Sequence, residues 1–169
     1  MPTDSKLSVR GRVDTRIYQE SPPSDLSDSE KLTWLREKNP VEQFTEYNTT
    51  VFGMHEYFAI NLSEDASINE YASHLAIGDD GTDPEVTNDT LNNEVFRKEV
   101  TDTSQVDNEL LCSTFVDSEE ANGETFREVG LFAGTDPSDR MWNHSTISSI
   151  DKDNTRTITI DITLTFEAA

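Results

Sequence analysis

The sequence predicts a mainly β fold: an antiparallel β-sandwich with one or two short helices and an extended N-terminal arm. Three observations predict it. In residues 155–166, Ile158, Ile160, Ile162, Leu164 and Phe166 alternate with Thr157, Thr159, Asp161, Thr163 and Thr165, the pattern of a strand with one buried and one wet face. From Tyr71 onward, short strand-like segments are separated by turn clusters of Gly, Asp and Asn, which favours an antiparallel sandwich over a parallel α/β sheet. No internal repeat is visible at periods of about 20–50 residues, which argues against a solenoid.

Residues 1–45 read as an arm distinct from the domain formed by residues 46–169. Within the arm, the Pro, Ser and Asp tract at residues 21–29 is a linker or a helix-initiating loop. Ser27 and Glu30 have capping-box spacing, and Leu32, Trp34 and Leu35 then define a short amphipathic helix ending before Pro40. Alone it would be marginal. Leu32, Trp34 and Leu35 are therefore candidates for docking onto another subunit, unless they pack on their own domain.

A second helix is expected over residues 51–62, where Val51, Met54, Phe58 and Leu62 recur at helical spacing and Thr50 is available as N-cap. Strands follow near residues 73–77, 95–100, 108–116, 125–132, 141–148 and 155–166. The segment T-F-R-E-V-G-L-F at 125–132 is unusual because alternation gives each face a charge: Glu128 with Phe126, Gly130 and Phe132, and Arg127 with Val129 and Leu131. A buried charge needs a partner and a strand glycine marks a bulge or close backbone approach; the alternative is a solvated edge strand guarded by charge. Glu94, Arg97, Arg127 and Glu128 are the predicted ion-pair network, with Arg97 or Arg127 joined to Glu128.

The 169 residues suit one domain plus an extension. A net charge of −21 excludes nucleic acid as a partner, because phosphate binding needs clustered Lys and Arg. The acid is spread along the chain and Arg supplies most of the 13 basic residues, a composition that points to a halophile. No run reaches transmembrane length, and no signal peptide is expected from the polar, basic first 16 residues. The single cysteine, Cys112, reads as a small buried thiol.

Chemistry-bearing motifs are sparse. The acidic string at residues 78–85 lacks the ordered spacing of a calcium loop and reads as turn chemistry. His55, His74 and His144 are isolated, and no nucleophile elbow, phosphate loop, dinucleotide fingerprint or zinc helix occurs. No catalytic residue, metal site or cofactor is predicted. Asn48, Asn61, Asn88 and Asn143 each begin an N-x-S/T triplet. Trp142 is either a strand core residue or a sugar-stacking contact.

The succession H-L-A-I-G-D-D-G at 74–81, T-L-N-N-E-V-F-R at 90–97 and F-R-E-V-G-L-F at 126–132, closed by T-I-T-I-D-I-T-L-T-F, resembles the tail-fibre or tail-collar proteins of tailed phages. The likeness covers residues 50–166, and with the acidic composition it suggests a haloarchaeal tailed virus or provirus. The resemblance implies a non-enzymatic virion subunit made in the host cytoplasm and placed near the tail tip or baseplate, as a fibre adaptor or short spike. Its partners would be copies of itself and other virion proteins, without membrane insertion. A capsid-vertex turret subunit has the same needs. A binder of host-surface glycans, with Trp142 as the receptor contact, and a small hydrolase using paired carboxylates are the competing readings.

Overall fold

The fold is seen in a computed structural model, which describes residues 7–61, 70–136 and 138–168. In chain order the described residues form β1 (Leu7–Tyr18), α1 (Asp28–Arg36), β2 (Glu42–Thr50), α2 (Phe52–Asn61), β3 (His74–Gly78), β4 (Glu94–Glu99), β5 (Asp102–Val106), β6 (Glu109–Val116), β7 (Thr125–Phe132), β8 (Met141–Asp151) and β9 (Thr157–Ala168). Leu62, the expected end of the second helix, lies outside the described residues.

The mainly β, antiparallel expectation holds. The strands make one continuous sheet in the order β4-β3-β7-β8-β2-β1-β9-β6-β5, with every pairing antiparallel. Strand β2 joins the two halves, pairing with β1 along most of its length and with β8 only at Thr49 and Thr50. The edge strands β4 and β5 are consecutive in the chain. Between them Val100 N donates to Ser73 O and Thr101 N to Ser113 O, each at 2.8 Å, so the backbone passes from one end of the sheet to the other and the sheet curls toward closure.

Curling lets both halves bury apolar residues in one core. Val13, Ile17, Cys112, Val116, Ile158, Ile160 and Ile162 from one half meet Leu75, Ile77, Val129, Leu131, Trp142 and Ile147 from the other. A fully buried aliphatic side chain of this size contributes about 1.5–3 kcal/mol. Across the sheet from this core, Ala76, Phe132 and Met141 form a second cluster with Val51 and Leu91.

The predicted arm is corrected. Residues 7–18 are a central strand, paired over Leu7–Tyr18 with β9 and over Gly11–Ile17 with β2. The boundary at 45/46 cuts through β2. Alternation explains the strand, because Val9, Val13 and Ile17 point into the core while Arg10, Arg12, Asp14 and Arg16 take the other face. Helix α1 begins as predicted: Glu30 N donates to Ser27 Oγ at 3.4 Å and Ser27 N to Glu30 Oε2 at 2.9 Å. Thr50, the expected cap of the second helix, instead ends β2.

Candidate functional site

The densest polar construction lies where β3, β7, β8 and the loop before β4 converge. Glu128 is fully buried on β7, and its Oε2 is 2.7 Å from Nε2 of the equally buried His144 on β8. The hairpin register sets this up: Gly130 is opposite His144 and Glu128 opposite Thr146, so the two side chains are diagonal neighbours. Asn93 N donates to Glu128 Oε1 at 2.8 Å and Asn92 N to Oε2 at 3.1 Å. Burial pushes this carboxyl up, but the hydrogen bonds from His144, Asn93 and Asn92 outweigh it and hold Glu128 below the usual carboxylate range.

Asn88 completes the chain. Its Oδ1 accepts from Glu85 N at 2.7 Å and lies 3.0 Å from His144 Nδ1, so it is an acceptor toward the ring. The ring is clamped between the Glu128 carboxylate at Nε2 and the Asn88 amide at Nδ1. One buried pair thus holds β7, β8 and two stretches of the 79–93 connection together.

Two glycines make room for it. A Cβ on Gly78 would lie 2.6 Å from Asn93 O and 2.7 Å from Glu128 Cγ, and one on Gly130 would lie 2.9 Å from Leu91 Cδ2. Both positions are close approaches, where a side chain would displace the loop that delivers Asn92 and Asn93 to the carboxylate.

The predicted network is therefore rearranged. Arg97 pairs with Glu94, Nε and Nη2 each 2.7 Å from the carboxylate, donates to Gly134 O at 3.0 Å, and lies 4.0 Å over the Phe132 ring. Neither Arg97 nor Arg127 joins Glu128, whose side-chain partner is His144. The predicted faces also change. Register shifts between Phe126 and Glu128 in the β7–β8 pairing, so Phe126 shares the main core with Val129 and Leu131, while Phe132 points to the second cluster. Arg127 is exposed in an open polar cleft of about 840 Å³ lined also by Asp79, Asp80, Thr82, Asn92 and Thr146.

The predicted docking residues are spent inside the molecule. Leu32 and Leu35 are fully buried against Tyr18 and Phe115, with Trp34 packed beside them. Lys31 and Lys98 lie 5.7 and 5.2 Å over the Phe115 ring and reach Asp28, Asp117 and Glu120. Helix α1 thus docks on its own sheet because one helix must bury its apolar stripe, and the nearest uncovered apolar surface is the end of β1 and β6. Trp142, the candidate receptor contact, is only 4% exposed and stacks edge-on against Tyr57 at 4.7 Å, which corrects that assignment to a core role.

Other groups act as fasteners too. Lys152 is buried at the end of β8, and its Nζ donates to Asp153 O, Asn122 Oδ1 and Ser118 O at 2.9, 3.0 and 3.3 Å; burial lowers its affinity for a proton. Arg140, just before β8, reaches Glu56 on α2 and, at 2.7 Å, Glu70 in the segment that leads into β3. Burial pushes the Cys112 thiol up to about 12, leaving it protonated. In the 78–85 string, Thr82 N donates to Asp80 Oδ1 at 2.7 Å, an Asx turn. Of the N-x-S/T triplets, Asn143 is fully buried and Asn88 is held by His144 and Glu85; the triplet at Asn61 runs outside the described residues.

Sequence reasoning missed His144, Asn88, Asn92 and Asn93. The signal lay in the hairpin register, since placing Gly130 opposite His144 puts Glu128 within reach. Among the described residues no helix is long and apolar enough to cross a membrane. In comparisons with known proteins, no family model, curated protein or solved structure matches the chain.

Proposed function

We propose that the chain is a non-enzymatic structural subunit of a haloarchaeal tailed virus, of the tail-fibre or tail-collar kind, placed at the tail tip or baseplate as a fibre adaptor or short spike. One observation carries this reading. The three stretches of the resemblance, scattered over residues 74–132, form the adjacent strands β4, β3 and β7. They also converge on a single carboxylate: Glu128 of the third receives Asn92 N and Asn93 N of the second across Gly78 of the first.

The way charge is used supports the same reading. Glu128, Arg97, Arg140 and Lys152 each bind protein groups that join separate elements, as suits a part that keeps its shape inside an assembly.

The test is a particle preparation. Purified virions are analysed by mass spectrometry and decorated with a gold-labelled antibody against the full chain. Label at the tail tip supports the proposal. Label at capsid vertices overturns the tail placement in favour of a turret subunit, and absence of the chain from particles overturns the virion reading altogether.

A further inference from the structure

Strand β1 puts its charges on one side. Arg10, Arg12, Asp14 and Arg16 face outward while Val9, Val13, Thr15 and Ile17 face inward. Helix α1 covers only the Tyr18 end of this outer face. The remainder is an open groove of about 280 Å³ whose walls include Arg12 and Arg16, the carboxylates Asp14, Glu109 and Asp161, and Val106. Register extends a row across five strands, Tyr47–Arg12–Thr163–Leu111–Ser104. Its rims are apolar and open: Tyr47 is 81% and Val106 65% exposed.

The electrostatics of this face differ from those of the whole chain. Arg10, Arg12 and Arg16 lie 3.4, 2.8 and 2.7 Å from Glu167, Asp14 and Asp161, and Arg36 of α1 reaches Asp161 and Asp102, so that with Glu109 the face is close to charge balance on a molecule of net charge −21. A second acidic copy meets less repulsion at paired charges than at unpaired carboxylates. The side chains of Arg10 and Arg12 are 76% and 51% exposed, so their guanidinium groups are open to further carboxylates. Tyrosine and arginine beside aliphatic groups are the side chains that dominate binding energy in protein interfaces.

The complementary surface is on the same chain. The connection between β3 and β4 exposes Asp83, Glu85 and Asp89 around Val86, and Val86 O accepts from the N–H of Phe52, another exposed apolar residue. We infer that the open β1 face is an interface that takes the acidic turn around Val86 of a second copy, head to tail, with Arg10 and Arg12 meeting Asp83 and Glu85 and the apolar rims meeting Val86 and Phe52. Such a contact is heterologous and builds a ring or a stack. It does not depend on the virion reading, since a chain found in no particle would still form it.

The test is sedimentation velocity of the full chain over a concentration series in about 1 M salt, where screening within about 3 Å leaves only contact pairs effective. The wild type associates. Arg10→Glu with Arg12→Glu, or Asp83→Lys with Glu85→Lys, weakens association at least ~10-fold, as expected for loss of central charged contacts. All four changes in one chain restore it, because the swapped charges again face their opposites. Tyr47→Ser, at a site too exposed to affect folding, weakens association on its own, and thermal melts verify that every variant is folded. A wild type that stays monomeric throughout, or charge variants that associate as well as the wild type, or four changes that fail to restore association, overturns the inference.

Discussion

Glu128 accepts three N–H groups while wholly removed from water, and a carboxylate in that position is costly to orphan. Replacing it with Ala leaves His144 with an unmatched donor and strips Asn92 N and Asn93 N of their acceptor. Loss of one member of a buried pair costs about 3–5 kcal/mol, so urea denaturation of Glu128→Ala at neutral pH should show a destabilisation of that size. Arg127→Ala, one residue away but exposed, should leave the midpoint unchanged; a large loss there would mean that Arg127 fastens the fold after all. The sign of the pH effect follows from the lowered Glu128 value. A carboxyl held below its unfolded value of about 4.3 stabilises the fold above that pH, and the contribution fades as pH falls through the folded value. The stability gap between wild type and Glu128→Gln should therefore shrink between neutral pH and about pH 3. A constant gap would show that the carboxylate is not the group that matters. From sequence, Glu128 could be recognised as a charge needing a partner; which partner was hidden, because His144 reaches it only through a register that the bulged β7–β8 hairpin sets.

Elements tell a similar story about what is local and what is not. Capping by Ser27 and Glu30 is a short-range property, so the start of α1 was legible. Its destination was not, since an apolar stripe says that something must cover it without saying what. Strand β1 was concealed by its own outer face: four charged residues among Leu7–Tyr18 mask the alternation of Val9, Val13 and Ile17. Because β1 lies between β2 and β9, deleting residues 1–45 removes a central strand together with the helix that covers it. The truncated chain should lose cooperative unfolding by circular dichroism. A truncated domain that melts cooperatively like the full chain would restore the arm reading.

At the scale of the whole molecule, the acid load and the curled sheet oppose each other. Closing the sheet brings a chain of net charge −21 into a small volume, and self-repulsion of that size is relieved when salt shortens the Debye length to about 3 Å at 1 M. Calorimetry should find the melting temperature falling on dilution into about 0.1 M salt, where the screening length is about 10 Å. A flat response would remove the halophilic reading. The same excess acid makes the paired charges on the face of β1 distinctive, and the inferred contact between copies uses that face.

The sequence by itself determined the β character, most of the strands, the capped helix and the turns, because each depends on periodicity or chemistry within a few residues. Tertiary structure alone decided that Leu7–Tyr18 lies in the middle of the sheet and that Leu32, Leu35 and Trp142 face inward. It also paired Glu128 with His144 and not with an arginine. Those outcomes depend on contacts between residues far apart in the chain, and a one-residue change of register moves every side chain of a strand to the other face.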